Sequence, residues 1–270
     1  MNIRLLIALV LNSILLSTAV VAQDISTGTA VLGSYETRFH YAGDDVIRNR
    51  AYNVRKAIRK LDGTVLRPQE TLSYNRLLGQ RTGERGWRQA KTILHGEIFI
   101  APGGGICQVS STLHAAAIYS GMEIINAQHH SRYMTYIEPG LDATVSWPDL
   151  DLLIRNPYDF PVRIHAWERE TGVAAIEFLG DHRVWEVSIE RNMIERRGFT
   201  TEIRELPDQP NTYRHVLEKG TNFLLFDQWI THRNIETEEL FSERTLFQYD
   251  PSPRIIEVGT LIVDDLEEED

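Results

Sequence analysis

The chain of 270 residues has a single cysteine, Cys107, so no internal disulfide framework can form. It has no excess of basic charge. Lys and Arg number 28 against 38 Asp and Glu, a formal charge of −10, which argues against a nucleic-acid partner. Beyond residue 22 no apolar run approaches the roughly 20 residues that a membrane helix needs. Proline (10) and glycine (18) are too few for a collagen-like or low-complexity chain. No internal repeat is evident. These absences leave an ordinary folded protein, 42% hydrophobic and 24% charged, long enough for one large or two modest domains.

Residues 1–22 read as an address. Arg4 precedes an apolar run from Leu5 to Leu16, and the small residues Val20 and Ala22 stand at −3 and −1 before Gln23. That is the plan of a secretory signal peptide, with an uncleaved anchor as the alternative. The expected mature protein is exported to the periplasm or the cell surface, with no stable membrane span after cleavage. Six of the seven residues of 264–270 are acidic and form an expected disordered tail. In an oxidising compartment an unpaired cysteine is either buried and inert or kept for its thiolate.

Helical spacing of Ile47, Ala51, Val54, Ile58 and Leu61, with Asp44 or Asp45 as cap and Asp62-Gly63 as stop, predicts a first helix. Its polar face carries Arg48, Arg50, Arg55, Lys56, Arg59 and Lys60, either a solvated face or a surface for an anionic polymer. Residues 65–87 read as irregular but packed. A second helix is expected over Ile106–Ser120, stopped by Gly121. The period then changes to two. Strands are expected at Met122–Ile125, Arg132–Ile137, Ala143–Trp147, Leu150–Arg155, Pro161–Trp167 and Val173–Phe178, and again at Trp185–Glu190, Phe223–His232 and Ser242–Tyr249. Pro207–Asn211 and Pro251–Pro253 read as loops. The expected class is α+β: an antiparallel sheet packed on two main helices over 23–180, followed by a smaller, mostly β lobe over 181–263.

The stretch Pro102-Gly103-Gly104-Gly105-Ile106-Cys107-Gln108-Val109-Ser110-Ser111 carries most of the chemical information. Three glycines let the backbone bend sharply and let another group approach it. Cys107 falls in the first turn of the expected helix, where unpaired N–H groups and the helix dipole favour a thiolate and could hold an oxyanion. His129 and His130 follow as candidate bases. Asp142 and Asp151 follow them as groups that could orient an imidazole. Papain-like hydrolases, cell-wall amidopeptidases among them, use the order Cys, His, acid. The alternatives are a core thiol under a tight turn, and a metal pair formed by the histidines with Cys107, with His114 seven residues on.

The run Gly103–Leu113 resembles the signature of the VanW family. Leu72-Ser73-Tyr74-Asn75, Gly79, Arg81-Thr82, His130-Ser131, Tyr136, Pro139-Gly140, Asp142-Ala143-Thr144-Val145, Asp151-Leu152 and Asn156 extend the resemblance over about Val54–Ala166. His130 aligns with the histidine before the family's serine, whereas His129 falls where proline is expected. The resemblance implies a bacterial cell-envelope protein with peptidoglycan or its fragments as partner. The close of the chain, Tyr249–Thr260, is similar to the end of G5 modules, which often accompany VanW regions.

The resulting expectation is a Cys-dependent hydrolase or transferase acting on peptide or amide bonds of peptidoglycan. Cys107, His130, Asp142 and Gln108 form the catalytic set, with Gln108 or helix amides as the oxyanion site. Gly103, Gly104, Gly105, Ser110, Ser111 and Asn75 are candidate binding residues. No metal or cofactor is expected. The competing expectation is a non-enzymatic cell-wall binding or scaffolding module, in which Trp87, Tyr74 and Tyr136 stack against ligand.

Overall fold

The computed structural model describes residues 27–94 and 97–262; residues 1–22, expected to be a signal peptide, and 264–270, expected to be a disordered tail, lie outside them. The elements in order are β1 (Ala30–Arg38), α1 (Asp45–Leu61), β2 (Val65–Leu66), β3 (Thr71–Ser73), α2 (Tyr74–Leu78), β4 (Gln89–Leu94), β5 (Glu97–Pro102), α3 (Ile106–Tyr119), β6 (Glu123–Asn126), β7 (Leu153–Arg155), β8 (Val162–Glu170) and β9 (Val173–Gly180). Six longer strands follow: β10 (Trp185–Arg197), β11 (Thr201–Pro210), β12 (Arg214–Thr221), β13 (Phe223–Asn234), β14 (Leu240–Tyr249) and β15 (Ser252–Leu261). The class is α+β in the broad sense, with strand dominating.

α1 begins where its cap places it, because the Asp44 side chain accepts from Ile47 N at 2.8 Å. Its apolar stripe of Ala51, Val54, Ile58 and Leu61 is buried. α3 is almost entirely buried, polar residues included. Both helices pack on the antiparallel sheet β1-β9-β8-β2, α3 on β1 and β9 and α1 on β8. Gly33 in β1 makes the approach of α3 possible, since a Cβ there would lie 2.4 Å from the carbonyl of Tyr119. The buried Thr37–Thr112 hydroxyl contact, 2.8 Å, ties the same strand to the same helix.

The hairpin β4–β5 delivers the chain to α3 through the glycine turn. In the C-terminal part, β10-β13-β14 form one sheet and β11-β15-β12 another, with β11 and β15 parallel. Val187 and, partly, Ile230 pack with Ala115, Ile118, Met134, Ile137 and Leu141. The C-terminal strands therefore share apolar core with the segment that leads to Asp142.

Four expected segments are corrected. Arg132–Ile137 and Ala143–Trp147 are not strands, despite their alternation. In the second segment the backbone groups bond to side chains and loops instead: Ala143 N donates to Ser111 Oγ, the Ala143 carbonyl accepts from Ser110 Oγ, and Thr144 N donates to Gln128 O; in the first, Ile137 N closes a turn on the Met134 carbonyl. Pro207–Pro210 lies within β11 rather than a loop. β11 is an edge strand and its register skips between Leu206 and Pro210, where missing N–H groups cost no ladder bond. The segment Pro251–Pro253 likewise runs into β15, which starts at Ser252.

Candidate active site

Gly103 (φ 91°) and Gly105 (φ 105°) adopt backbone conformations that disfavour a side chain, and turn the chain from β5 into α3. Gly104 between them is pressed on the hairpin, where a Cβ would lie 2.5 Å from the Lys91 carbonyl. Gly105 is the N-cap and supplies no side-chain bond. Ile106 N and Gln108 N are taken by the Gly103 and Gly105 carbonyls. The N–H of Cys107 has no partner among the described residues, which leaves a donor beside the thiol at a helix N-terminus. The glycines shape the turn, and Gly103 and Gly105 also line the cavity next to Cys107.

Cys107 is half-buried rather than sealed in the core. It borders two connected depressions. One, about 360 Å³, is lined by Arg50, Gly105, His130, Tyr136 and Lys219 among others. The other, about 490 Å³, is lined by Gln80, Arg81, Ser146, Trp147 and Leu150 among others. The thiol thus stands at the middle of a cleft that runs to both sides of it.

His130 is hydrogen-bonded to Asp142 and lines the same depressions as Cys107, whose Sγ lies 3.5 Å from the Val145 carbonyl oxygen and 3.9 Å from Thr144 Oγ1. The His130 Nδ1–H donates to Asp142 Oδ2 at 2.6 Å, and the His130 backbone N–H donates to the same oxygen at 2.7 Å. That bond places a proton on Nδ1 and leaves Nε2 as the ring nitrogen that can serve the thiol. Burial disfavours the imidazolium, yet the Asp142 carboxylate and the thiolate together push the His130 pKa up to about 9. Burial likewise pushes the Cys107 thiol up. The proximity and charge of His130 outweigh it, with smaller help from Val145 and Thr144, and hold the thiol below its ordinary value. Asp142 is also lowered: burial raises it, but His130 and the Tyr249 hydroxyl outweigh that.

The structure does not place the other sequence-derived candidates in the same roles. The Gln108 carboxamide donates to Thr37 Oγ1 (3.0 Å) and the Arg38 carbonyl (2.8 Å), so its hydrogens are committed and it is no oxyanion donor. Asn75 is buried. It donates to the carbonyls of Ser146 and Leu150 and accepts from Arg81, so it fixes the turn beyond Val145 rather than a ligand. Ser110 and Ser111 are fully buried and bond to the Cys107 and Ala143 carbonyls, stitching α3 to the Asp142 segment. Asp151 caps α2 through Ser73 and Asn75 N. His129 turns away from the thiol and packs on Tyr249 and Phe247. His114 is buried against the Leu141 carbonyl. Trp87 and Tyr74 are core residues and offer no stacking surface, whereas Tyr136 borders the cleft.

Sequence reasoning missed Tyr249. Its hydroxyl donates to Asp142 Oδ1 and accepts from Gly140 N at 2.8 Å, from the end of β14. Nothing local signals it, because 107 residues separate it from Asp142.

Residues 49–177 match the family described as VanW like protein. The chain is 39% identical over 138 residues to the protein YoaR of Bacillus subtilis, covering 51% of this chain and 44% of YoaR. It is 30% identical over 133 residues to the Vancomycin B-type resistance protein VanW of Enterococcus faecalis, covering 46% of this chain and 48% of that protein. The chain thus spans less than half the length of either relative. Two solved G5 domains show a slight likeness. That of an IgA1 protease has 27% identity over 30% of this chain and 99% of its own, with a TM-score of 0.19. That of HP0197 has 14% identity over 28% of this chain and 97% of its own, with a TM-score of 0.16. Cys107, His130 and Asp142 all fall inside residues 49–177, the part of the chain that is similar to the VanW like protein family.

Proposed function

We propose that this is an exported cell-envelope protein in which Cys107 attacks peptide or amide bonds of peptidoglycan. The observation that carries the reading is the buried His130–Asp142 pair lining the same open cleft as the half-buried Cys107. The thiolate adds to the carbonyl carbon, and the negative charge that develops on oxygen is met by the unpaired Cys107 N–H at the start of α3. The C–N bond breaks as His130 gives its Nε2 proton to the leaving amine, forming a thioester. Water or an acceptor amine then attacks that thioester, His130 takes the proton back, and the thiolate leaves. Water gives hydrolysis and an amine gives transfer. Asp142 keeps the imidazole in one tautomer and offsets its charge. A cleft extending to both sides of the thiol suits a substrate longer than the bond it reacts at. Exposed Trp147 on one wall is a surface on which such a chain can lie. Burial of Trp87 and Tyr74 removes two of the three surfaces on which the binding-module reading depended.

The test is capture of the intermediate. Incubation with peptidoglycan stem-peptide fragments is expected to add an acyl mass to the protein at Cys107, released by hydroxylamine and absent from Cys107→Ser. Binding of the fragments without any adduct or product would instead support the cell-wall binding reading.

A further inference from the structure

Three of the six basic residues of α1 have partners that account for them. Arg48 pairs with Asp45, Arg55 makes two bonds to Glu168, and Lys56 reaches the Arg85 carbonyl and lies over Trp87. Arg50 differs. It borders the cleft with Cys107, and among the described residues no carboxylate lies within ion-pair distance of it. Its one side-chain bond is to Gln108 Oε1, at 2.8 Å. Gln108 is itself fixed by Thr37 and the Arg38 carbonyl, and Thr37 by Thr112, so β1, α3 and α1 together hold the guanidinium in place. Gly105 leaves room for it, because a Cβ there would lie 2.9 Å from Arg50 Cγ. A cation withdrawn from water without a counter-charge is costly, and burial lowers the Arg50 pKa here. A neutral amide orients it without neutralising it. The nearby cation Arg132, by contrast, is already paired with Glu218 at 3.0 Å.

We infer that Arg50 is an anchor for a carboxylate of the bound peptide, so that the Arg50 side of the cleft selects an acidic group next to the bond presented to Cys107. This rests on the proposed peptide chemistry but concerns a different charge. The planar guanidinium, with Gln108 occupying one of its edges, keeps donors free for a carboxylate. The group could be a terminal carboxylate or that of an acidic side chain.

The experiment uses the purified protein and compares alkylation of Cys107 by iodoacetate and by iodoacetamide, which differ in the anionic group that Arg50 would attract. The ratio of the two rates is the readout, so a general change in thiol reactivity cancels. Arg50→Gln is expected to lower the iodoacetate-to-iodoacetamide ratio by roughly tenfold. Arg50→Lys is expected to restore part of it, with thermal unfolding confirming that both variants fold. An unchanged ratio in Arg50→Gln overturns the inference even if iodoacetamide still labels an activated thiol. Failure of iodoacetamide to label any activated thiol instead counts against the nucleophile reading. Protection of wild-type Cys107 by N-acetylalanine points to a terminal carboxylate. Protection by N-acetylglutamic acid α-amide points to a side-chain one. Equal protection by N-acetylalaninamide contradicts charge recognition.

Discussion

Turnover of peptidoglycan peptides by His130→Ala is expected to fall by roughly three to four orders of magnitude at pH 7. Two losses combine. The imidazolium that holds the thiol below its ordinary value is gone, so burial acts unopposed and the Cys107 pKa rises. The leaving amine also loses its proton donor. The buried Asp142 carboxylate then keeps only the Tyr249 hydroxyl and the backbone N–H of residue 130 as partners. Single-turnover kinetics on a fragment that acylates the wild type would measure the effect. A loss below about tenfold would mean that another group is the base.

Asp142→Asn is expected to cut the same turnover by roughly 10³–10⁴-fold, because the amide stabilises the wrong imidazole tautomer. Asp142→Ala removes the acceptor altogether and is expected to cost about 3–5 kcal/mol of stability, the penalty for breaking a buried charged pair. Both His130 and Asp142 are buried, with side chains 9% and 1% exposed, so solvent screens this pair little. Chemical denaturation of the two variants separates the effects: Asn loses activity with a smaller loss of stability, and Ala loses both. The pH dependence follows from the directions of the shifts. Asp142 is lowered in the fold, so its contribution is present above about pH 4 and lost as pH falls through its depressed value. His130 is raised to about 9, so its contribution is complete below about pH 6.5 and lost as pH rises through about 9. The lowered thiol of Cys107 has the opposite sense, gaining as pH rises toward its unfolded value of about 8.5. Between about pH 6.5 and 8.5 the His130 and Cys107 contributions therefore oppose each other, whereas acid removes the Asp142 contribution.

Much of the first domain could be read from local pattern. Asp44 and the stripe from Ile47 to Leu61 define α1, and the glycine run with its small-residue helix defines α3, because caps and a 3.6-residue period are local properties. The residues that meet at this cleft, Cys107, His130 and Asp142, were singled out from residue type and order together with the VanW resemblance, and the structure pairs His130 with Asp142. The segments around those two residues were misread. Alternation at Arg132–Ile137 and Ala143–Trp147 indicates which side chains face inward, but it does not say what receives the backbone bonds, and here Ser110 and Ser111 of α3 compete with a sheet ladder. Gln108 looked like an oxyanion donor by position alone. Its partners, Thr37 and Arg38, lie some 70 residues upstream on β1. Tyr249 and Arg50 were hidden for the same reason, since each acquires its role from contacts across distant parts of the chain.

The central claim is that His130 activates Cys107. The most direct measurement is the rate of iodoacetamide labelling of Cys107 in the folded protein as a function of pH, with His130→Ala alongside. The account predicts a labelling pKa for wild type below that of a free thiol, about 8.5, and a rise above it when His130 is lost. A thiol that labels only on unfolding, or that titrates alike in both proteins, would contradict it.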